Sequence, residues 1–425
     1  MTLVSSRPPL MSLDAAWQAL LHERHAVVGT ETVPTLLADG RVLAQDVVSE
    51  MAVPGFDNSA MDGYAVRVAD VVQAQSASKA LPVSQRVAAG QSPQALQAAS
   101  VARIFTGAPL PMGADAVVMQ EHTQIDTDEQ GQPWVRCLET PVLGQSVRRR
   151  GEDVAQGQVI LSAGTVLGPA ELGLAASVGI AELTVRKRLK VALFSTGDEL
   201  IMPGDVPPQA MPAGRIYNSN RFFLVALLQR LGCVVSDLGI VPDALSKTTA
   251  ALRQAAQTHD LVLTSGGVSV GEEDHVKPAV QALGGLDLWQ IAIKPGKPFA
   301  RGWLNRDDGS TCAFVGLPGN PVSSFVTFLV LLRPLLAALQ GARIQTLPRP
   351  VAMRADFAWP RADKRREFLR VKLNDQGGLD LFSNQSSGVL TSAVWGDGVL
   401  DNPPGMTFEA GATVAFLPWS ALLTL

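Results

Sequence analysis

The chain has little cysteine: Cys137, Cys233 and Cys312 are the only three in 425 residues. Thiols this few and this far apart exclude a disulfide framework and a structural zinc site, and they fit a reducing compartment. Histidine is almost as scarce, five residues without metal-ligand spacing, so ordinary polar or structural roles are expected of them. An excess of one charge is missing too. Thirty-five Lys plus Arg stand against 39 Asp plus Glu, a net charge of −4, so no general attraction for nucleic acid or anionic membrane is expected and any anion site must be local. The first thirty residues, broken by Asp14, His22, Glu23 and Arg24, lack the apolar stretch of a secretory signal. The most lipid-like run, 322–339, is interrupted by Ser323, Ser324, Thr327, Arg333 and Pro334, and reads as a buried helix rather than a membrane span. A cytoplasmic protein is the expectation.

What is present is a 47 % hydrophobic composition punctuated by 38 Gly and 28 Pro, which predicts mixed α and β structure with many turns. The length calls for several domains. Residues 13–21 have helical spacing (Leu13, Trp17, Leu20, Leu21) and read as a packing arm, and 33–48 as a short helix followed by an extended segment. Between 48 and 154, short apolar runs such as 116–119 alternate with Gly-, Pro- and Gln-rich turns, a β-rich pattern. From Arg186 to about Leu339 the strand candidates 191–195, 234–241, 261–265, 288–293 and 313–317 are interleaved with helix candidates 221–231, 246–257, 275–283 and 322–339. That alternation predicts a parallel sheet whose ligands bind beyond the carboxyl ends of its strands. After residues 348–350 short strands return, including 367–373 and 413–417, and no internal repeat is present.

The candidate chemistry follows the strands. Residues 261–271 (Leu-Val-Leu-Thr-Ser-Gly-Gly-Val-Ser-Val-Gly) run from an apolar strand into small residues and then a helix, so Ser265, Gly266, Gly267 and Ser269 can bring backbone N–H groups and hydroxyls to a phosphate. A Gly-Gly pair alone is equally a tight turn. The same stretch matches the Gly-x-Ser-x-Gly nucleophile elbow, but the only downstream histidine is His275, six residues from Ser269 and too local for a triad, which rejects a hydrolytic serine. Residues 293–298 (Ile-Lys-Pro-Gly-Lys-Pro) set Lys294 and Lys297 on a stiff turn suited to an oxyanion, although two lysines in a turn are often mere surface. Residues 316–323, with Pro318 and Pro321, offer free N–H groups at a helix start. Carboxylates recur near such loops: Asp62, Asp153, Asp198, Glu199, Asp243 and Asp274. Some are helix caps or solvated charges, a reading that suits Asp243, but hard oxygen ligands beside phosphate loops are also how Mg²⁺ is held. Arg148, Arg149 and Arg150 read equally as a partner contact and as a solvated run.

As a set, in order, these motifs resemble the molybdopterin molybdenumtransferase family, the bacterial MoeA type also represented by the gephyrin E domain. The resemblance rests on residues 54–65 (Pro-Gly-Phe-Asp-Asn-Ser-Ala-Met-Asp-Gly-Tyr-Ala), 103–109, 148–153, 194–200, 265–274, 293–299 and 317–323, nearly the whole chain. It implies an α/β multidomain fold, with a molybdopterin-binding three-layer α/β domain (10–29 and 186–345), a linker domain (30–47 and 155–185), a small β-rich domain (48–154) and a C-terminal β-barrel-like domain (346–425). It implies a homodimer in which the pterin-binding domain faces the partner's small β-domain. Asp62, Thr106 and Asp153 would come from the partner-facing side. Glu199, Asp243, Asp274, Lys294 and Lys297 would line the pterin and phosphate side, with Pro318 and Pro321 shaping the loop beside them. Arg370 and Ser387 would contact molybdate.

The implied reaction inserts molybdate into adenylated molybdopterin and releases AMP. Mg²⁺ is the expected cofactor, with Asp62, Asp153, Glu199 and Asp274 as its candidate ligands. A molybdopterin adenylyltransferase and a molybdoenzyme are expected as further partners. Gln290 stands where a bacterial relative carries lysine, so a third lysine at this edge is not assumed. Two alternatives remain. One is a molybdopterin adenylyltransferase, whose single domain resembles only residues 186–339; the other is a non-catalytic molybdopterin-binding scaffold.

Overall fold

The computed structural model describes residues 10–22, 26–242, 244–267, 275–343 and 346–425. They form two compact units: one takes in the described residues within Met1–Gln45, Ala163–Gly168 and Leu183–Leu425, the other Asp46–Ser162 and Pro169–Glu182.

The second unit is built on a six-stranded sheet in the order Ala116–Met119, Gly63–Val66, Val101–Ile104, Leu81–Val87, Pro133–Cys137, Thr123–Thr127. The helix Val68–Ser76 contributes Val71 to a core with Tyr64, Val66, Val101 and Val118, while Ala65, Ala102, Ile104 and Val117 face a second cluster on the other side. Alternation along Gly63–Val66 and Val101–Ile104 thus feeds both faces, as the period of two requires. Every residue of Gly63–Val66 is buried because both faces are covered.

In the first unit the α/β sheet has the order Val234–Val241, Lys190–Thr196, Leu261–Ser265, Thr311–Leu317, Pro298–Asn305, Gly284–Gln290. The first four strands are mutually parallel. Pro298–Asn305 pairs antiparallel with both of its neighbours, so the sheet is mixed rather than purely parallel as the alternation predicted. The single strand expected at 288–293 is also corrected. Gly284–Gln290 forms the sheet edge, whereas Ile293–Lys294 leaves it and pairs in parallel with Arg366–Glu367 of the C-terminal domain. The break is fixed locally: the Met11 N–H donates to the Gln290 carbonyl, and the Ile291 N–H reaches the Lys297 carbonyl at 2.7 Å and closes the intervening turn.

The helix Pro321–Leu339 has a mean hydropathy of 2.0 and is 94 % buried, so its apolar character serves the core, as its interrupted sequence predicted. Phe328, Leu331, Leu332, Leu336 and Leu339 are all buried in the main cluster, each contributing roughly 1.5–3 kcal/mol. Its two awkward residues are accommodated. Arg333 donates to the carbonyls of Thr424 and Thr346, and Pro334, which has no N–H for the Val330 carbonyl, leaves that carbonyl to the Trp17 indole at 2.7 Å. Trp17 lies on Leu13–Leu21, an amphipathic helix started by the Ser12 hydroxyl on the Ala15 N–H; this is the packing arm of the sequence.

The C-terminal strands Arg366–Leu373, Gly378–Leu381, Val351–Ala355, Thr413–Pro418 and Gly398–Asn402 pair in succession, and Gly398–Asn402 returns to Arg366–Leu373. The sheet therefore closes on itself and leaves few free edges.

Candidate functional site

A cleft of about 410 Å³ opens at the carboxyl ends of the Lys190–Thr196, Leu261–Ser265 and Thr311–Leu317 strands. Its wall takes Thr196 and Glu199 from the first strand end, Ser265 and Gly266 from the second, and Pro318 to Pro321 from the third. Pro298 closes one side and Asn218 to Asn220 the other. Two helices, Asn220–Arg230 and Pro321–Leu339, begin at this cleft, so the positive ends of both dipoles favour an anion there.

The turns are held in place by glycine. Gly267 has φ +67°, and a Cβ there would lie 2.4 Å from Val276 Cγ2 and 2.8 Å from Thr196 Oγ1. The Gly266 N–H also donates to the Leu317 carbonyl at 3.1 Å, which ties two strand-end loops together. In the lysine turn Gly296 has φ +111°, and a Cβ would meet Thr327 Oγ1 at 2.2 Å. Only glycine lets this turn lie directly on the first turns of the 321–339 helix.

The two lysines of that turn differ sharply. Lys297 makes no side-chain hydrogen bond or ion pair among the described residues, and its neighbour Pro298 lines the cleft. The Lys294 ammonium is engaged, 2.9 Å from Glu367 and 3.5 Å from Asp363. Asp363 is held far below the usual carboxylate range, chiefly by its hydrogen bond from the Arg365 side chain. Of the carboxylates along the cleft, Glu199 is exposed and has no side-chain partner among the described residues.

The barrel reaches the same region through its 386–387 loop, where the Ser387 carbonyl accepts the Val322 N–H at 2.9 Å. Below that loop Arg370 is 1 % exposed and donates to the Ser392 hydroxyl and to the Phe368 and Ser386 carbonyls. No carboxylate pairs with it among the described residues, and burial pushes its guanidinium down to about 10. A buried cation satisfied only by neutral acceptors favours an incoming anion.

In the other unit Asp62 Oδ1 accepts both the Thr106 N–H and the Thr106 hydroxyl at 2.8 Å. These bonds, the backbone one foremost, hold the Asp62 carboxyl below its usual range. Asn58–Ser59 pairs with Val147–Arg148, and Asp57 binds the Arg149 guanidinium and the Arg150 N–H. The 54–62 and 148–153 motifs therefore form one surface, with Asp153 exposed on it. Arg149 is committed to this internal ion pair.

Asp243, Ser269 and Asp274 lie outside the described residues. The sequence reading did not single out Asn218, Asn220, Asp363 or Glu367. Asn-Ser-Asn before a helix reads simply as a cap, and Glu367 sits in a strand with no motif around it. A second cavity, about 630 Å³, opens at the amino end of the sheet beside Arg301, Trp303 and Arg306. Arg306 spends its guanidinium on the Ala256 and His259 carbonyls and Arg301 donates to Ala19, so this larger space offers less chemistry than the strand-end cleft.

Residues 11–179 match the MoeA N-terminal region (domain I and II), 192–338 a probable molybdopterin binding domain, and 352–419 the MoeA C-terminal region (domain IV). The chain is 40 % identical over 420 residues to the molybdopterin molybdenumtransferase of Haemophilus influenzae, covering 97 % of this chain and 100 % of that protein. It is 38 % identical over 392 residues to molybdopterin molybdenumtransferase 2 of Mycobacterium tuberculosis, covering 90 % and 93 %. The molybdopterin biosynthesis MoeA protein of Pyrococcus horikoshii OT3 superposes with a TM-score of 0.80 at 28 % identity, over 96 % of this chain and 100 % of that one. The chain belongs to the MoeA family of molybdopterin molybdenumtransferases.

Proposed function

We propose that this enzyme inserts molybdate into adenylated molybdopterin and releases AMP, and that the strand-end cleft holds the adenylate. The observation that carries the reading is the convergence, on one cleft, of two helix N-termini, the Ser265–Gly267 turn and the Pro318–Pro321 turn, with Lys297 beside it. The product keeps molybdenum on the dithiolene sulfurs, and cleavage of the phosphoanhydride frees AMP.

Each residue type has a task in that exchange. Backbone N–H groups at the two helix starts and the Ser265 hydroxyl donate to phosphate oxygens. Lys297 neutralises an oxyanion without having to leave another partner. Arg370, buried behind the Ser387 loop, is suited to molybdate. Lys294 acts at the same edge through its carboxylate neighbours, and Asp62, fixed by Thr106, stays ionised for AMP release.

Mg²⁺ fits the oxygen donors present. Glu199 offers an unengaged carboxylate, Asp153 is exposed, and Asp62 keeps one oxygen beyond the one that Thr106 holds. Among the described residues no three His, Cys, Asp or Glu side chains cluster, so the substrate's own oxygens would complete the coordination. The ion would supply charge neutralisation at phosphate. A cytoplasmic homodimer, with Asp62, Thr106 and Asp153 supplied by the partner subunit, completes the proposal, and an adenylyltransferase and an apo-molybdoenzyme are its natural neighbours.

The test is AMP release from purified molybdopterin adenylate with and without molybdate and Mg²⁺, followed by reconstitution of an apo-molybdoenzyme. Molybdate-dependent release with active product supports the transferase. Binding without turnover under every metal condition would make the protein a scaffold, and ATP consumption with pyrophosphate release would make it an adenylyltransferase.

A further inference from the structure

Asn218, Ser219 and Asn220 line the cleft where the helix Asn220–Arg230 begins. Asn218, not Ser219, accepts the Arg221 N–H, through Oδ1 at 3.3 Å. Asn220 is thereby released from capping, and its side-chain amide turns across the cleft floor. Nδ2 donates to the Ser265 hydroxyl oxygen at 2.9 Å and to the Gly319 carbonyl at 2.7 Å. Those acceptors belong to two different strand-end turns, 45 and 99 residues away in the chain.

We propose that Asn220 is a positioning residue for the bound adenylate, fixing the Ser265 hydroxyl and the Gly319 peptide in the orientation that receives phosphate oxygens. This rests on the reading that the cleft binds the adenylate. Because Ser265 Oγ accepts from Asn220, its own proton is left to donate to a ligand. Because the Gly319 carbonyl points to Asn220, the planar trans peptide turns the Asn320 N–H the opposite way, where it meets no acceptor among the described residues. A second observation points the same way. Asn220 is 7 % and Asn218 2 % exposed, both line the cleft, and Asn220 Oδ1 and Asn218 Nδ2 have no hydrogen-bond partner among the described residues. Buried amide atoms left unpaired are costly for folding, and their place at a ligand cleft ties that cost to function.

The variants are Asn220→Ala, which deletes the donor without adding charge, Ser265→Ala, and the pair together. Affinity for purified molybdopterin adenylate is read by calorimetry, KM and kcat by AMP release, and folding by thermal melting. Asn220→Ala is expected to raise Kd and KM about tenfold, the value of a phosphate donor no longer held in place, while a cooperative melt shows that it folds. The double variant should be no worse than the weaker single one, because both remove the same contact. Effects that multiply, or a folded Asn220→Ala with wild-type KM, overturn the inference. So does a fall in kcat alone, the mark of a smaller folded fraction. If the wild-type protein itself binds no adenylate, the functional reading falls first and this one with it.

Discussion

The Lys294 ammonium stands 2.9 Å from a carboxylate oxygen of Glu367, a side chain only 1 % exposed in the barrel wall. The second Glu367 oxygen accepts the Trp359 indole at 2.7 Å and the Asn402 amide at 3.4 Å. Lys294→Ala would leave this buried carboxylate with neutral donors only. Because the lysine is 39 % exposed, solvent softens the loss, and a cost of about 1–3 kcal/mol is expected. Adding Glu367→Gln should restore part of the urea midpoint but not AMP release. A Lys294→Ala protein as stable as wild type would show that the pair does not hold in solution.

Lys297 should behave in the opposite way. With no partner to lose among the described residues, Lys297→Ala is expected to change stability by less than about 0.5 kcal/mol. Molybdate-dependent AMP release should fall roughly 10- to 100-fold, the value of a charge-assisted hydrogen bond. Unchanged kcat/KM would return Lys297 to the ordinary surface.

Trp17→Phe tests the repair of the proline helix. It removes the indole donor to the Val330 carbonyl, whose α-helical donor position is taken by Pro334, while keeping an aromatic ring, so a loss of about 1–3 kcal/mol is expected by denaturant unfolding, with the m-value unchanged. A loss within error would mean that the carbonyl finds another donor.

The Asp62 carboxyl is held below its ordinary range by the Thr106 backbone N–H first and the Thr106 hydroxyl second. A depressed folded-state pKa contributes stability above the unfolded value, which disappears as the pH falls through the folded one. Thr106→Val keeps the N–H and deletes the hydroxyl, so the Asp62 titration followed by NMR should move part of the way up. An unmoved titration would rule out the hydroxyl contact.

Where the sequence is written in local signals, it and the structure agree. The 261–265 strand appears with those ends because its buried run stops at Gly266, and the 234–241 strand stops at Pro242 although Ser236, Asp237 and Gly239 interrupt its apolar residues. Pro298–Asn305 escaped because it starts with proline and contains Gly302, both of which read as turn. In the sheet, Gly302 is where backbone meets backbone, for a Cβ would lie 2.2 Å from the Gly285 carbonyl. The cleft was legible in the same measure. Ser265, Gly266, Pro318, Pro321 and Glu199 lie in short motifs and line one space. Asn220 and Glu367 act through partners 45 and 73 residues away, which no local pattern records.

The two-residue strand Ile293–Lys294, paired with Arg366–Glu367, ties the lysine turn to the C-terminal barrel. A chain truncated after the 321–339 helix would keep every strand of the α/β sheet, yet residues 293–294 would lose their hydrogen-bonded neighbour and Lys294 both of its carboxylates. Recombination that exchanges the C-terminal barrel between relatives must therefore match a segment encoded 73 residues upstream of the strand it pairs with, and a chimera joined only at the visible domain boundary would inherit a mismatched lysine turn.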